Sequence, residues 1–544
     1  MSILNDIPIL TILLIIPLVG MLLVLLLPKQ RSNWIRIAAV AAASITLILT
    51  ILLYGGFDKQ QGGEGFGEEH SWVSIPLNKE PQQGVTDYLF TLDYSLAVDG
   101  FSLPLILLTA LITAMAALAA VHVKKRNKAF YAWLLLLETG MLGVFLARDI
   151  FMFFIGFELT LIATYFLIGI WGSYNRERAA NEFLIYNGIG SAIMLLAFII
   201  LASTAGFRIE QTASGLQYIY SGSYDVILQN IIDPMAWVNL SPELTGTINP
   251  FYMSDTMQWT LFIMLLIAFG IKLPIIPFHT WMLRVHAEAA PSVVMLHSGV
   301  MLKMGAYGLL KFGVLLFPQQ AHQWAAVIAA LGLVNLLYGA VLALRQTDLR
   351  LVLAYSSISH MGFVLLGIAA FNELGLQGAM VQLVSHGLIS ALLFLILGSL
   401  HERTGTTELE ELGGLARSMP FMSGMLLAAG LASLGLPGLS GFVGELLTLL
   451  GLFESMKWIA AAALLGVILA AAYMLRAVLK ITFGPMNERF AALRDARLIE
   501  AIPIIILFAF IVLIGCFPSV LTDTIGRDFA GLYEFLLAEA GGGR

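Results

Sequence analysis

The sequence predicts an all-α polytopic membrane protein of about fourteen transmembrane helices, two of them broken, in two inverted five-helix repeats. Three observations predict it. Of 544 residues, 59% are hydrophobic and only 12% are charged, with a mean hydropathy of +0.88, whereas a soluble domain carries about 25% charge. Apolar runs of about 20 residues, the length needed to cross a bilayer, recur fourteen times. Two of these runs are interrupted by Gly and Pro at matching places in the two halves of the chain. The composition excludes a disordered chain, a nucleic-acid-binding face and most soluble enzyme folds. The net charge of −6 says little about partners. One cysteine, Cys516, excludes a disulfide framework, an iron–sulfur cluster held by this chain and a Cys-based zinc site.

In chain order the runs are 7–28, 35–55, 98–121, 129–147, 150–171, 183–205 and 259–281. They continue as 291–316, 323–344, 350–371, 376–401, 422–453, 457–480 and 501–521. The first lacks a basic leading region and a small-residue cleavage site, so it reads as a retained helix and not a signal peptide. Two longer hydrophilic stretches, 56–97 and 206–258, are poor in Lys and Arg. The first, with Gly62, Gly63, Glu64, Gly65, Gly67, Glu68 and Glu69, reads as a solvated external loop. Asn239-Leu-Ser241 fits a glycosylation sequon, but a proline follows it, and no modification is expected there.

Basic residues set the orientation. Nineteen Lys and Arg side chains fall in one set of loops. The opposite set holds eight: Lys59, Lys79, Arg148, Arg208, Lys311, Lys457, Arg527 and Arg544. The expected arrangement is a multi-pass protein of a bacterial inner (plasma) membrane with both termini outside.

An ionisable group at the bilayer centre costs about 2.5–3.5 kcal/mol even on lenient scales, so the charges inside spans need a reason. They are Glu138, Glu158, Lys272, Lys303 and Glu445. At 1.5 Å rise per residue, Glu158 lies roughly 12 Å and Lys303 roughly 18 Å into their helices. His360 and His386 reach a similar depth. Six groups on six helices (Glu158, Lys272, Lys303, His360, His386 and Glu445) therefore share one level, with Glu138 the weakest member of the set. A lysine held there, with a carboxylate able to stabilise or release its charge, is a switchable proton site.

Lys272 stands in Gly270-Ile-Lys272-Leu-Pro274-Ile-Ile-Pro277, where two prolines remove backbone donors and clash with the preceding turn. The carbonyls of Gly270 and Leu273 are expected to be left free beside the lysine. The twelfth span carries a related break, Gly435-Leu-Pro437-Gly438-Leu-Ser-Gly441, just before Glu445. Spans seven and twelve run in opposite directions because their offset of five is odd. Broken helices at corresponding places in two halves mark an inverted-repeat transporter with its site at the break. The expected units are helices 1–3 with an external loop (1–128), a first repeat (129–316), a second, inverted repeat (323–480), and a C-terminal loop and helix (481–544).

These segments resemble the antiporter-like subunits of respiratory complex I, over roughly residues 95–485. The resemblance rests on Phe157-Glu158, Tyr165 to Gly172, the Lys272 proline segment, His286-Ala-Glu288-Ala-Ala-Pro291, and Gly299 to Gly308 around Lys303. It continues through Ala354 to Phe363 around His360, His386-Gly387, Leu412-Gly-Gly-Leu415, and Gly435-Leu-Pro437 with Gly441-Phe-Val-Gly-Glu445. Within the family, glutamate at 445 resembles the subunit 4 type (chain M in bacteria), because related members usually place lysine there. Two features depart from the pattern: Thr404-Gly-Thr-Thr407 is similar to the D subunit of multisubunit sodium/proton antiporters, and the 206–258 stretch is long.

The resemblance implies a central axis of protonatable residues fed by half-channels at the broken helices. Glu158 is similar to the essential glutamate of the fifth helix, with Lys272 its partner. Lys303 is similar to the connecting lysine, His360 and His386 to the relay, and Glu445 to the terminal proton site. The implied function is proton translocation within NADH–quinone oxidoreductase. A multisubunit sodium/proton antiporter or a membrane-bound hydrogenase complex is the alternative. The chain contains no Gly-x-Gly-x-x-Gly turn after a strand and no Walker loop. Cofactors are therefore expected on partner subunits (flavin and iron–sulfur clusters), with none on this chain. The expected partners are other membrane subunits, above all adjacent antiporter-like chains, and the lipid bilayer, with no nucleic acid.

Overall fold

Each apolar run is helical in the computed structural model, which describes residues 8–57, 66–77, 85–212, 215–246, 248–485 and 487–526. Lys59, Gly62, Gly63, Glu64, Gly65, Lys79, Arg527 and Arg544, used above for loop character and orientation, lie outside the described residues. Among the described residues thirteen helices are long and apolar enough to span a bilayer. The remaining crossing is the twelfth, made of two shorter helices, Pro420–Ser433 and Ser440–Ser455. The seventh runs Asp255–Lys272, breaks, and resumes at Thr280–Glu288. Both breaks fall where proline and glycine require them.

A boundary difference of seven residues falls at the sixth span, which begins at Arg176 and not near 183. Its polar first two turns are helix that projects beyond the apolar stretch, and hydropathy cannot register them. The eighth span (Pro291–Val314) and the eleventh (Glu373–Thr404) are enclosed along their whole apolar length by other helices. A helix apolar all round belongs in a core, and these two carry Lys303 and His386. Close approach depends on small residues. Between the ninth span (Ala325–Arg345) and the tenth (Leu349–Ala369), a Cβ on Gly362 would lie 2.6 Å from the Gly332 carbonyl oxygen.

The long hydrophilic stretches are not simply solvated loops. They build one four-stranded sheet from β1 (Gly67–Pro76), β2 (Val85–Ala97), β3 (Phe207–Thr212) and β4 (Gly215–Ser221), ordered β1-β2-β4-β3. β2 and β4 pair in parallel, so the two stretches lie on the same face, as their shared parity requires. Glu68 accepts hydrogen bonds from Leu10 N (2.8 Å) and Thr11 N (3.0 Å), capping the first helix, whose terminal N–H groups lack internal partners. The Asn239 amide donates to the carbonyls of Asn230, Ile231 and Asp233, so it serves as a turn residue.

Lys311 corrects the orientation count. It lies within the eighth span, nearly fully buried, with Nζ 2.5 Å from Asp99 Oδ2. It joins the charged groups buried inside the spans, and its pairing explains how it is tolerated.

Candidate functional site: a buried line of ionisable groups

Lys272 is the last residue of the first half of span seven, 1% exposed. Its Nζ has no hydrogen-bond partner among the described residues. Two aromatic faces stand in for one, with Phe157 and Phe183 ring centroids at 4.7 and 5.5 Å. A cation over a ring face is worth about 2 kcal/mol or more once desolvated, which offsets part of the cost of burial without locking the charge. Glu158, one residue after Phe157 on the fifth span (Ile150–Trp171), acts on Lys272 electrostatically. Its Oε1 is buried and unbonded.

The break itself is satisfied by neighbours. The Gly270 carbonyl, expected to be free, accepts from Ile275 N (2.9 Å), and the Ile271 carbonyl accepts from the Trp281 indole (3.1 Å). Asn335 of the ninth span donates to the Pro274 carbonyl and accepts from Ile276 N. Irregular backbone at membrane depth survives only when protein or water supplies its hydrogen bonds, and here neighbouring side chains and the chain's own backbone supply them. The lysine is thus fixed at the end of a rigid half-helix while its own head group stays unpaired.

Lys303 sits between two stretches of π-helix, His297–Met301 and Leu309–Val314, a geometry frequent at functional sites. Its Nζ donates to the Ser298 carbonyl and lies 2.7 Å from His386 Nδ1. An ammonium carries donors only, so a charged Lys303 requires an unprotonated Nδ1. One contact therefore holds one proton. The His386 and His360 rings are 5.4 Å apart, and a cavity of about 10 Å³ bordered by both rings and by Ser356, Ser390 and Ser433 lies beside them, about the size of one water.

His360 contacts three groups: Gln382 Nε2 at 3.2 Å and Glu445 Oε1 at 3.5 Å, both from Nδ1, and Ser433 Oγ at 3.4 Å from Nε2. Glu445 is 4% exposed, in the second turn after the twelfth-span break. Gly435 in that break has φ +78°, and a Cβ there would meet Glu445 Oε2 at 2.6 Å. Only glycine both adopts that backbone and leaves room for the carboxylate.

The structure thus brings Lys303, His386, His360 and Glu445 into one continuous line, with Lys272 and Glu158 forming a second cluster beside it. Glu138 stands apart. It is wholly buried on the fourth span (Asn127–Leu146), and neither carboxylate oxygen has a hydrogen-bond partner among the described residues. Sequence reading missed His297, fully buried and 3.0 Å from His286, as well as Gln382 and the Asp99–Lys311 pair. His286 stood in a quoted motif, and Lys311 stood inside the apolar run 291–316. Histidine in an apolar span was the available signal for His297.

A family model described as NADH:quinone oxidoreductase/Mrp antiporter, transmembrane, matches residues 147–471. Among curated relatives, NAD(P)H-quinone oxidoreductase chain 4 of Prochlorococcus marinus (strain MIT 9515) is 38% identical, covering 98% of this chain and 91% of that protein. The protein of the same name from Gloeobacter violaceus is 35% identical, covering 95% and 91%. Among solved structures, a chain of respiratory complex I from Thermus thermophilus with bound NADH superposes with TM-score 0.79 at 28% identity, over 97% of this chain and all of that one. A chain of the Mrp complex from Dietzia sp. gives TM-score 0.75 at 20% identity, over 97% and 98%, a likeness of fold alone.

Proposed function

Because the chain belongs to the NADH:quinone oxidoreductase/Mrp antiporter transmembrane family, we propose that it is a subunit 4-type, proton-translocating membrane subunit of an NADH–quinone oxidoreductase. It is a multi-pass membrane protein of a multisubunit complex. In this reading it resides in a bacterial plasma membrane with both termini outside, next to other antiporter-like chains. Flavin and iron–sulfur partners carry the redox chemistry, since a single cysteine cannot hold a cluster. The units 129–316 and 323–480 act as inverted halves, one around each break.

The observation that carries the reading is the line from Lys303 through His386 and His360 to Glu445, with its 2.7 Å lysine–histidine contact. Lys272 takes up a proton at the first break, Glu158 tunes its charge, Lys303 and the histidines pass the proton laterally, and Glu445 releases it at the second break. Glu138, the weakest member of the expected set, lies outside this line. Each charge moved against the membrane potential costs about 2.3 kcal/mol per 100 mV, which redox chemistry on other subunits supplies.

The test is proton pumping by the assembled complex carrying Lys272→Met or Glu158→Gln. Pumping per NADH should fall to background while the complex stays assembled. Normal pumping in either variant would sink the scheme. Identifying what co-purifies under mild detergent separates this reading from a sodium/proton antiporter, which would bring antiporter subunits and no flavin partner.

A further inference from the structure

Gln382 has no role in the path above, yet it sits at the last transfer of the line. It lies on the eleventh span, one turn before His386, and is 1% exposed. Its Nε2 is 3.2 Å from His360 Nδ1, the same nitrogen that faces Glu445 Oε1 at 3.5 Å. Gln382 Oε1 and Glu445 Oε1 are both buried without a hydrogen-bond partner among the described residues. Buried polar atoms are seldom left open, and here two acceptors stay open around one ring nitrogen. The backbone makes room for the amide. A Cβ on Gly444, the residue before Glu445, would lie 2.5 Å from Gln382 Oε1 and 2.9 Å from Gln382 N.

The two neighbours of Nδ1 require opposite states of it. An amide N–H donates and needs the bare lone pair, whereas a carboxylate accepts and needs Nδ1–H. Both cannot be met at once. The observed contact of Gln382 Nε2 fits the tautomer with Nδ1 bare and Nε2–H facing Ser433 Oγ at 3.4 Å. That is the state of the ring after Nδ1 has handed its proton to Glu445. A half turn of the amide exchanges N–H for carbonyl and fits the tautomer that precedes the transfer.

We propose that Gln382 is a positioning residue that makes the transfer from His360 to Glu445 one-way. Before the transfer its carbonyl holds Nδ1–H beside Glu445. Nε2 takes a proton from the His386 side through the water-sized cavity bordered by Ser433, and Nδ1–H passes to a Glu445 oxygen. One proton enters the ring and one leaves it. The amide then turns its N–H onto the bare Nδ1, which closes that lone pair to a proton returning from Glu445. Ring rotation resets the tautomer once Glu445 has released its proton. The inference rests on the proton-translocating reading above.

The experiment measures pumping per NADH and redox turnover against pH in assembled complex carrying Gln382→Met or Gln382→Glu, with Lys272→Met in parallel. Methionine keeps the length of glutamine but offers neither N–H nor carbonyl. Gln382→Met should pump about tenfold more slowly, the factor one net hydrogen bond is worth, because protons slip back to His360. Gln382→Glu keeps the shape. Its protonated carboxyl offers both a donor and an acceptor, so at the acid end it should pump within about twofold of the parent. As pH rises the carboxylate only accepts, and pumping should fall reversibly and more steeply than in the parent. Parent-like pumping in Gln382→Met, with Lys272→Met inactive, overturns the one-way role and leaves the main reading standing. Equal loss in both Gln382 variants at every pH assigns the side chain to packing and also overturns it. If Gln382→Met does not assemble, the pH profile of Gln382→Glu decides alone, and a profile parallel to the parent's overturns the proposal. If Lys272→Met pumps normally, the main reading fails first.

Discussion

Lys303 and Lys311 lie eight residues apart on one fully enclosed helix, yet their charges are treated in opposite ways. Lys311 is clasped: its Nζ is 2.5 Å from Asp99 Oδ2 and over the Tyr224 ring, with Arg148 adding a second positive charge near Asp99. Lys303 meets a backbone carbonyl and a histidine nitrogen but no carboxylate among the described residues. A buried charge with a matched counter-ion is a fixed tie, because separating it costs several kcal/mol. A buried lysine facing a neutral base can give its proton away. The Asp99 end of span eight is thus built to hold, and its middle to exchange. Arg403 and Glu500, at 2.5 Å, repeat the holding pattern elsewhere.

The largest effect should come from breaking the tie. Lys311→Met leaves the Asp99 carboxylate buried without its partner, at a cost of about 3–5 kcal/mol, and assembled complex should be scarce or heat-labile. Adding Asp99→Asn removes the orphaned charge and should recover most of that loss. Lys303→Met orphans no carboxylate, so assembly should persist while pumping fails. Thermal unfolding of the purified complex ranks all three. A double variant no better than Lys311→Met alone would end the distinction between tie and switch.

Asp149 sharpens the contrast from the same end of the helices as Asp99. It is buried like Asp99, but no ion pair holds it among the described residues. Burial pushes its carboxyl up to about 6, against the pull of hydrogen bonds from Phe151 N and Met152 N, whose helix it caps. The unfolded group ionises near 3.9. Between about pH 4 and pH 6 the unfolded state therefore sheds a proton that the folded state keeps, so stability falls as pH rises through this window. It is flat above it. The shift is worth about 3 kcal/mol at most. Hydrogen exchange at residues 147–152 and 221–224, corrected for intrinsic rate, should accelerate from pH 4 to 6. Asp149→Asn keeps the cap and should remove the dependence. The same acceleration in the asparagine variant would assign it to another group.

Much of this was legible in the sequence because a bilayer makes polar residues conspicuous. Glu158, Lys272, Lys303 and Glu445 stand out in apolar runs, and proline or glycine announces each break. What stayed hidden depends on chain segments meeting from far apart. The β2–β4 pairing joins stretches over a hundred residues apart, and their alternation is too polar to distinguish strand from loop. Asp99 and Lys311 look like residues at span ends until folding sets them 2.5 Å apart. The Gly270 carbonyl looked free because its new donor, Ile275 N, depends on the path of the chain through the break.

Two glycines repeat the contrast in backbone terms. Gly305 and Gly313 each follow a lysine of span eight by two residues. A Cβ on Gly305 would lie 2.7 Å from Leu273 N and 3.0 Å from both the Lys272 carbonyl carbon and the Phe269 oxygen. All three are backbone atoms of the broken seventh span, which cannot move aside as a side chain can. A Cβ on Gly313 would come within 3.4 Å of one atom only, Leu309 Cδ1 at 3.0 Å, the end of a flexible chain. Gly305→Ala should therefore cost about 1–3 kcal/mol, the usual range for overpacking, and Gly313→Ala well under that. The larger consequence is functional: forcing span eight away from the Lys272 break changes the distance a proton must cross between the two lysines. Pumping per NADH should drop in Gly305→Ala while redox turnover and assembly persist, and should be unchanged in Gly313→Ala. Equal losses in both variants would mean that the break and the Asp99–Lys311 tie respond to span eight as one rigid body, and the division between a holding end and an exchanging middle would fall.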